Sequence, residues 1–179
     1  MNNSSSFSKF KFTALALSLA GLIPSLALAQ VTGSFSAAAT VVQPLIIQST
    51  TPLNFGSFAS GLNSGSVIVS STAPYTRTAT EGVTLVNSGN VGSFSTITIN
   101  GTAGTTYSVT LPPRVTLGAS GGATMDITEF TTNLPTGSTK PRIPDSGTGS
   151  FQIGGTLRVA ANQPGGSYAG TVPITIDYQ

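Results

Sequence analysis

The sequence contains no cysteine, no histidine and no tryptophan, and only 7% of its 179 residues are charged. Each absence removes a class of chemistry. Without cysteine there is no disulfide, no thiol redox centre and no thiolate zinc site. Without histidine there is no Ser-His-Asp or Cys-His nucleophile and no imidazole ligand. Soluble chains draw about a quarter of their residues from Asp, Glu, Lys and Arg. The polar surface here must come from elsewhere, and Ser and Thr supply it. The length suits one domain of ordinary size with a sizeable core.

The first segment has the order of an export signal. Lys9 and Lys11 precede an apolar run from Phe12 to Ile23, Pro24 breaks it, and Ala27-Leu28-Ala29 gives the small-x-small pattern of a cleavage site. Residues 1–29 are therefore expected to be a cleaved signal peptide and residues 30–179 a single domain. The run is short for a membrane span, no second one follows, and no cysteine is present to carry a lipid. The expected route is export to the periplasm and then the cell surface, with no membrane insertion after cleavage.

Removing the leader changes the charge argument. Arg77, Arg114, Lys140, Arg142 and Arg158 remain against Glu81, Asp126, Glu129, Asp145 and Asp177, so the domain is neutral overall. A nucleic-acid partner needs a clustered basic face, and these cations are scattered. Nucleic acid is not an expected partner. A neutral chain also has little repulsion between copies, which suits a protein that associates with itself.

From residue 30 onward the pattern is strands. Apolar residues alternate with period two between Gly, Pro, Asn and Ser breaks. Phe35, Ala37, Ala39 and Val41 share one face of an early strand. Leu53 with Phe55, Val67 with Val69, Val83 with Leu85, and Ile97 with Ile99 make further short segments. Asn100-Gly101 predicts a tight type I′ turn. Tyr107, Val109 and Leu111 alternate up to Pro112-Pro113, which must end or edge that strand. Val115 with Leu117, Met125 with Ile127, Phe151 with Ile153, and Leu157 with Val159 continue the series, and Val172, Ile174, Ile176 and Tyr178 close it. No stretch has a capped 3.6-residue repeat. The expected fold is an all-β, immunoglobulin-like sandwich. Thr131–Gly149 is the longest loop candidate, functional or mobile.

The two ends suggest strand sharing. The last apolar strand stops at Gln179 where an immunoglobulin-type sandwich would continue, and Pro173 within it has no N–H to donate. An uncovered apolar edge is a liability. At the other end, Val31, Gly33, Phe35, Ala37 and Ala39 lie on one side of an extended segment. One copy's segment is suited to completing the next copy's sheet. The segment is equally suited to be the first strand of a complete sandwich.

The stretches Ala39-Thr40-Val41-Val42, Pro44-Leu45-Ile46-Ile47, Pro52 to Phe58, Gly155-Thr156-Leu157 and Gly165 to Gln179 resemble bacterial pilin-type domains of the chaperone–usher route. The likeness is to the archaic, spore-coat-U-like branch, and most of all to a cysteine-free family of secreted β domains of unknown function. A pilin C-terminal signature maps onto Tyr178, Ile176, Ile174, Val172 and the upstream Gly166. The resemblance implies a fold lacking one strand. It makes Val31, Gly33, Phe35, Ala37 and Ala39 the donor and Gly166, Val172, Ile174, Ile176 and Tyr178 the acceptor or chaperone edge. It implies a head-to-tail self-polymer, a periplasmic chaperone and usher, and a fimbrial location. Two features depart from the branch: the disulfide usual there is missing, and the N-terminal segment has no clear hinge.

Other chemistry is sparse. Asp126 and Glu129, three apart, are expected on opposite faces of a strand and so make a poor acid/base pair. Lys140 sits beside Pro141 in a loop with no partner for nucleophilic work. Gly118–Gly122 lacks the strand-to-helix setting of a phosphate loop. Asn100-Gly101-Thr102 matches a glycosylation sequon, but a turn explains it. No carboxylate cluster suggests calcium. Tyr107, Tyr168 and Tyr178 suit a sugar groove or, on their apolar faces, a core. No cofactor, no metal and no catalytic residue is expected. The expectation is a non-enzymatic structural subunit of a surface fibre. The alternative is a complete secreted monomer that binds a carbohydrate or surface ligand, and a glycan-cleaving enzyme ranks last.

Overall fold

The computed structural model describes residues 30–137 and 140–179. The expected signal peptide, residues 1–29, lies outside the described residues. The chain divides into a unit ending at Ala39 and a body, Thr40–Gln179. Within the first unit, Gln30–Ala39 carries no strand and every residue is exposed, Val31 at 93% and Phe35 at 92%. The strand expected over Phe35–Val41 does not form within the single chain, so these residues are not the first strand of its own sandwich. Alternation makes a strand only where a neighbouring edge supplies the hydrogen bonds.

Among the described residues the body is all-β, with twelve strands and no helix. They are β1 (Ile46–Thr50), β2 (Phe58–Ser60), β3 (Gly65–Val69), β4 (Arg77–Ala79), β5 (Val83–Leu85) and β6 (Ser95–Asn100). The second half has β7 (Tyr107–Thr110), β8 (Arg114–Ala119), β9 (Thr124–Thr132), β10 (Thr148–Val159), β11 (Tyr168–Ala169) and β12 (Thr175–Tyr178). One curled antiparallel sheet runs in the order β1-β6-β10-β9-β8-β11, with β3 also on β10 and β4 on β3. Two small ribbons, β12–β7 and β2–β5, complete the sandwich-like architecture.

The spine is β10. One of its edges pairs with β9, and the other is shared: β6 takes Thr148–Ile153 and β3 takes Gly155–Val159. Sequence alternation divides this stretch into two segments, but it is a single strand with Gly154-Gly155 inside it. A Cβ at Gly154 would collide with the Val69 carbonyl and the backbone of Ser70 and Ser71, so only glycine lets the neighbouring chain pass.

The buried side chains form two clusters. The β3-side cluster contains Phe55, Val67, Val69, Val115, Leu117, Met125, Ile127, Leu157 and Val159. The β12-side cluster contains Ile97, Ile99, Tyr107, Ile143, Phe151 and Ile153. Phe130 packs against both. These are largely the alternating residues of the sequence, so period two and burial agree.

Three expectations need correction. Asn100-Gly101 is no type I′ turn, because neither residue has positive φ. Asn100 ends β6 and the chain then crosses to β7 in the other layer. Gly101 is needed for packing instead: a Cβ would meet the Tyr178 hydroxyl, Ile143 and Leu45. The stretch Thr131–Gly149 is shorter as a loop, since β9 reaches Thr132 and β10 starts at Thr148. It is also docked. Tyr107 N–H donates to Pro141, Ile143 N–H to Thr105 and Gly104 N–H to Ile143, and the Ile143 side chain is fully buried. Finally, Asp126 and Glu129 do not face opposite ways. Glu129 sits at φ 51° where the β9–β10 register shifts. A bulge of this kind inverts the parity of the residues after it, so Met125, Ile127 and Phe130 all reach the core. Both carboxylates pair with arginines, Asp126 with Arg114 and Glu129 with Arg158. Pro112-Pro113 does end β7, which stops at Thr110.

Candidate functional site

A cleft of about 1190 Å³ lies between residues 50–60 and residues 163–174. The first wall starts where β1 ends. Thr51-Pro52 breaks the strand because Pro52 has no N–H to add to a ladder, and the chain continues irregularly to β2. Its far side is braced. Thr51 N–H donates to Thr96, the Ser95 hydroxyl to the Thr51 carbonyl, and Asn54 and Ser93 exchange backbone bonds. The Arg77 guanidinium donates to the carbonyls of Phe55 (3.0 Å) and Val86 (2.9 Å). Beside it the Tyr75 hydroxyl donates to Val91, and burial pushes that phenol above its ordinary pKa against the opposing pull of Arg77.

The second wall is the approach to the last strand. Tyr168 and Ala169 pair with Ala119 and Gly118, and β12 pairs with β7. Between them Gly170–Ile174 belongs to no strand, and Pro173 faces outward. Side chains alternate as the sequence predicts: Val172, Ile174, Ile176 and Tyr178 are half-buried while Thr171, Pro173, Thr175 and Asp177 are exposed.

The walls run antiparallel and are tied at both ends. At one end the Ser60 hydroxyl donates to the Gln163 carbonyl (3.0 Å) and Asn162 N–H to the Gly61 carbonyl (2.8 Å). At the other, the Tyr178 hydroxyl donates to the Gln43 carbonyl (2.8 Å). Among the described residues β1 pairs on one side with β6, and β12 on one side with β7. The cleft opens between the largely irregular stretch that follows β1 and the one that precedes β12. Its floor is apolar, with Ile97, Leu117, Met125, Ile127, Ile153 and Leu157 drawn from both core clusters. None of the lining residues is charged. A site like this takes up apolar side chains and backbone hydrogen bonds, and it offers no acid or base.

Of the residues singled out in the sequence, Gly166, Val172 and Ile174 line the cleft. Ile176 and Tyr178 pack instead against the β12-side cluster. Val31, Gly33, Phe35, Ala37 and Ala39 are exposed. Tyr107 is core, its phenol pushed up by burial, and Tyr168 flanks the cleft with its hydroxyl donated to Pro164. Sequence reasoning missed the first wall. Leu53 and Phe55 look like any alternating pair, and the proline break before them is the signal that their outer edge is unpaired. Phe130 was hidden by the bulge.

A family model for a domain of unknown function, DUF4402, matches residues 45–178. No curated protein and no solved structure matches the chain.

Proposed function

The chain belongs to the DUF4402 family, a domain of unknown function, and from that premise we propose that it is a secreted structural subunit of a surface fibre, built by donor-strand complementation. The observation that carries this reading is the uncharged cleft with an apolar floor, open between two walls that are strand over only a few residues. The complementary part is the exposed segment Gln30–Ala39, the arm. Ten residues extend over about 33 Å, comparable with the walls. Val31, Gly33, Phe35, Ala37 and Ala39 share a face that would enter the cleft of another copy. Burying Val31 and Phe35 stabilises such a joint by about 1.5–3 kcal/mol each, with backbone pairing to a wall of the cleft in addition. The contact is head-to-tail and does not close on itself, so it builds a filament. An apolar edge also needs cover before assembly, which a periplasmic chaperone and an usher would supply during export to the surface.

The test uses the chain starting at Gln30. It should run as a ladder on gels loaded without boiling and collapse to one band on heating. Removal of residues 30–39 should abolish the ladder and leave a folded monomer. A truncated chain that still polymerises would remove the arm from the joint.

A further inference from the structure

The arm joins the body through Gln43, and both backbone groups of Gln43 are held. Its N–H donates to the Thr102 hydroxyl (2.8 Å) and its carbonyl accepts from the Tyr178 hydroxyl (2.8 Å). The same Tyr178 oxygen accepts from Thr102 N–H (2.8 Å). Gly101 packs directly under that oxygen, where no side chain fits. Pro44 follows and disfavours helical backbone at Gln43. Tyr178 is at the same time the last residue of β12, the strand that continues the second wall. One hydroxyl thus ties the root of the arm to β12, outside the cleft lining.

We infer that Tyr178 is a positioning residue for strand exchange: with Thr102 it fixes Gln43 so that the arm serves a second copy and not the cleft of its own chain. This rests on the strand-sharing reading above. The walls are antiparallel and Gln43 lies at the Tyr178 end, so an arm entering its own cleft has to reverse direction against β1. With Gln43 pinned, the reversal falls on Thr40, Val41 and Val42. With Gln43 released, it spreads over residues 40–45, and loop closure becomes easier. The fixed root thereby leaves a neighbour's cleft as the accessible site.

Tyr178→Phe keeps the ring and deletes both hydrogen bonds; Thr102→Val removes the acceptor for Gln43 N–H. Each should raise the monomer fraction on unboiled gels roughly tenfold, the scale of one to two net hydrogen bonds. The monomer should refuse an added peptide of residues 30–39, because its cleft is filled. In a background lacking residues 30–39, Tyr178→Phe should bind that peptide as well as the parent does. A Tyr178→Phe chain that polymerises normally overturns the inference and leaves strand sharing intact. Failure of the truncated Tyr178→Phe chain to bind the peptide also overturns it, by making Tyr178 part of the acceptor. Absence of any ladder from the unaltered chain removes the strand-sharing reading itself.

Discussion

The two core clusters are built from the same kinds of side chain but are closed to different degrees. On the β12 side, Ile99 and Ile143 are 0% exposed and Phe151 1%. On the β3 side, Val67 and Val69 are equally dry, yet Phe55 is at 6% and Val115 and Leu117 at 9%. The difference lies in the cover over each. The β12–β7 ribbon and the docked Ile143 close the first cluster over Ile99 and Phe151, and only its Ile97 and Ile153 reach the cleft floor. The second lies under two walls that meet at Ser60 and Gln163 and then part. Residues with the same burial tendency are sealed where a strand lies over them and left on a cleft floor where none does. A shortage of cover is thus confined to one place, which distinguishes a binding groove from a loosely packed core.

This contrast can be broken at its strongest point. Phe151→Ala empties the sealed cluster and should cost about 3–5 kcal/mol of stability, read by denaturant unfolding. Its loss should be the same with or without residues 30–39. A mutant whose loss changes with the arm would place Phe151 under the groove instead.

Ile174→Asp sits between the two regions, half-buried and lining the cleft. A carboxylate there cannot be desolvated under an incoming strand. The ladder on unboiled gels should disappear, while the monomer loses less stability than Phe151→Ala does. A mutant that assembles normally would show that the second wall is not the acceptor edge.

The smallest effect is expected on the outer sheet face, away from both clusters. The hydrogen bonds from the Arg114 guanidinium and the Thr116 hydroxyl hold the Asp126 carboxyl below its ordinary range. Its folded value is therefore below its unfolded value. The stabilisation is present above the ordinary Asp pKa of about 3.9 and is lost as the pH falls through the folded value. Exposed pairs of this kind contribute little. The melting temperature of Asp126→Asn should lie slightly below that of the parent at neutral pH and coincide with it near about pH 2. A gap that persists in acid would assign the effect to packing.

Much of the fold was legible in the sequence, because a strand that buries one face repeats its apolar residues every second position. Val67 with Val69, Ile97 with Ile99, Val115 with Leu117 and Leu157 with Val159 are all buried as that pattern implies. Ile143 was not legible. It is an isolated apolar residue between Pro141-Arg142 and Pro144-Asp145, and it enters the core because Thr105 and Gly104 bind its backbone from another part of the chain. The candidate site was half legible: Val172 and Ile174 stand out by alternation, whereas Leu53 to Phe58 become a wall only through Arg77, Ser93 and Ser95. The Asn100-Gly101 expectation failed because the same dipeptide that suits a tight turn also suits a crossing between layers, where Gly101 makes room for Tyr178.

By itself the sequence determined the strand class, the inward face of most strands and the absence of thiol and imidazole chemistry. These depend on composition and on neighbours one or two residues away. Only the tertiary structure decided that one edge of β10 serves two partners, that a bulge at Glu129 turns Phe130 inward and Glu129 to the side of Asp126, and that Gln43 is gripped by Tyr178. Those outcomes depend on which distant backbone groups find each other. A hydrogen-bond partner far along the chain leaves no periodic trace in the residues that use it.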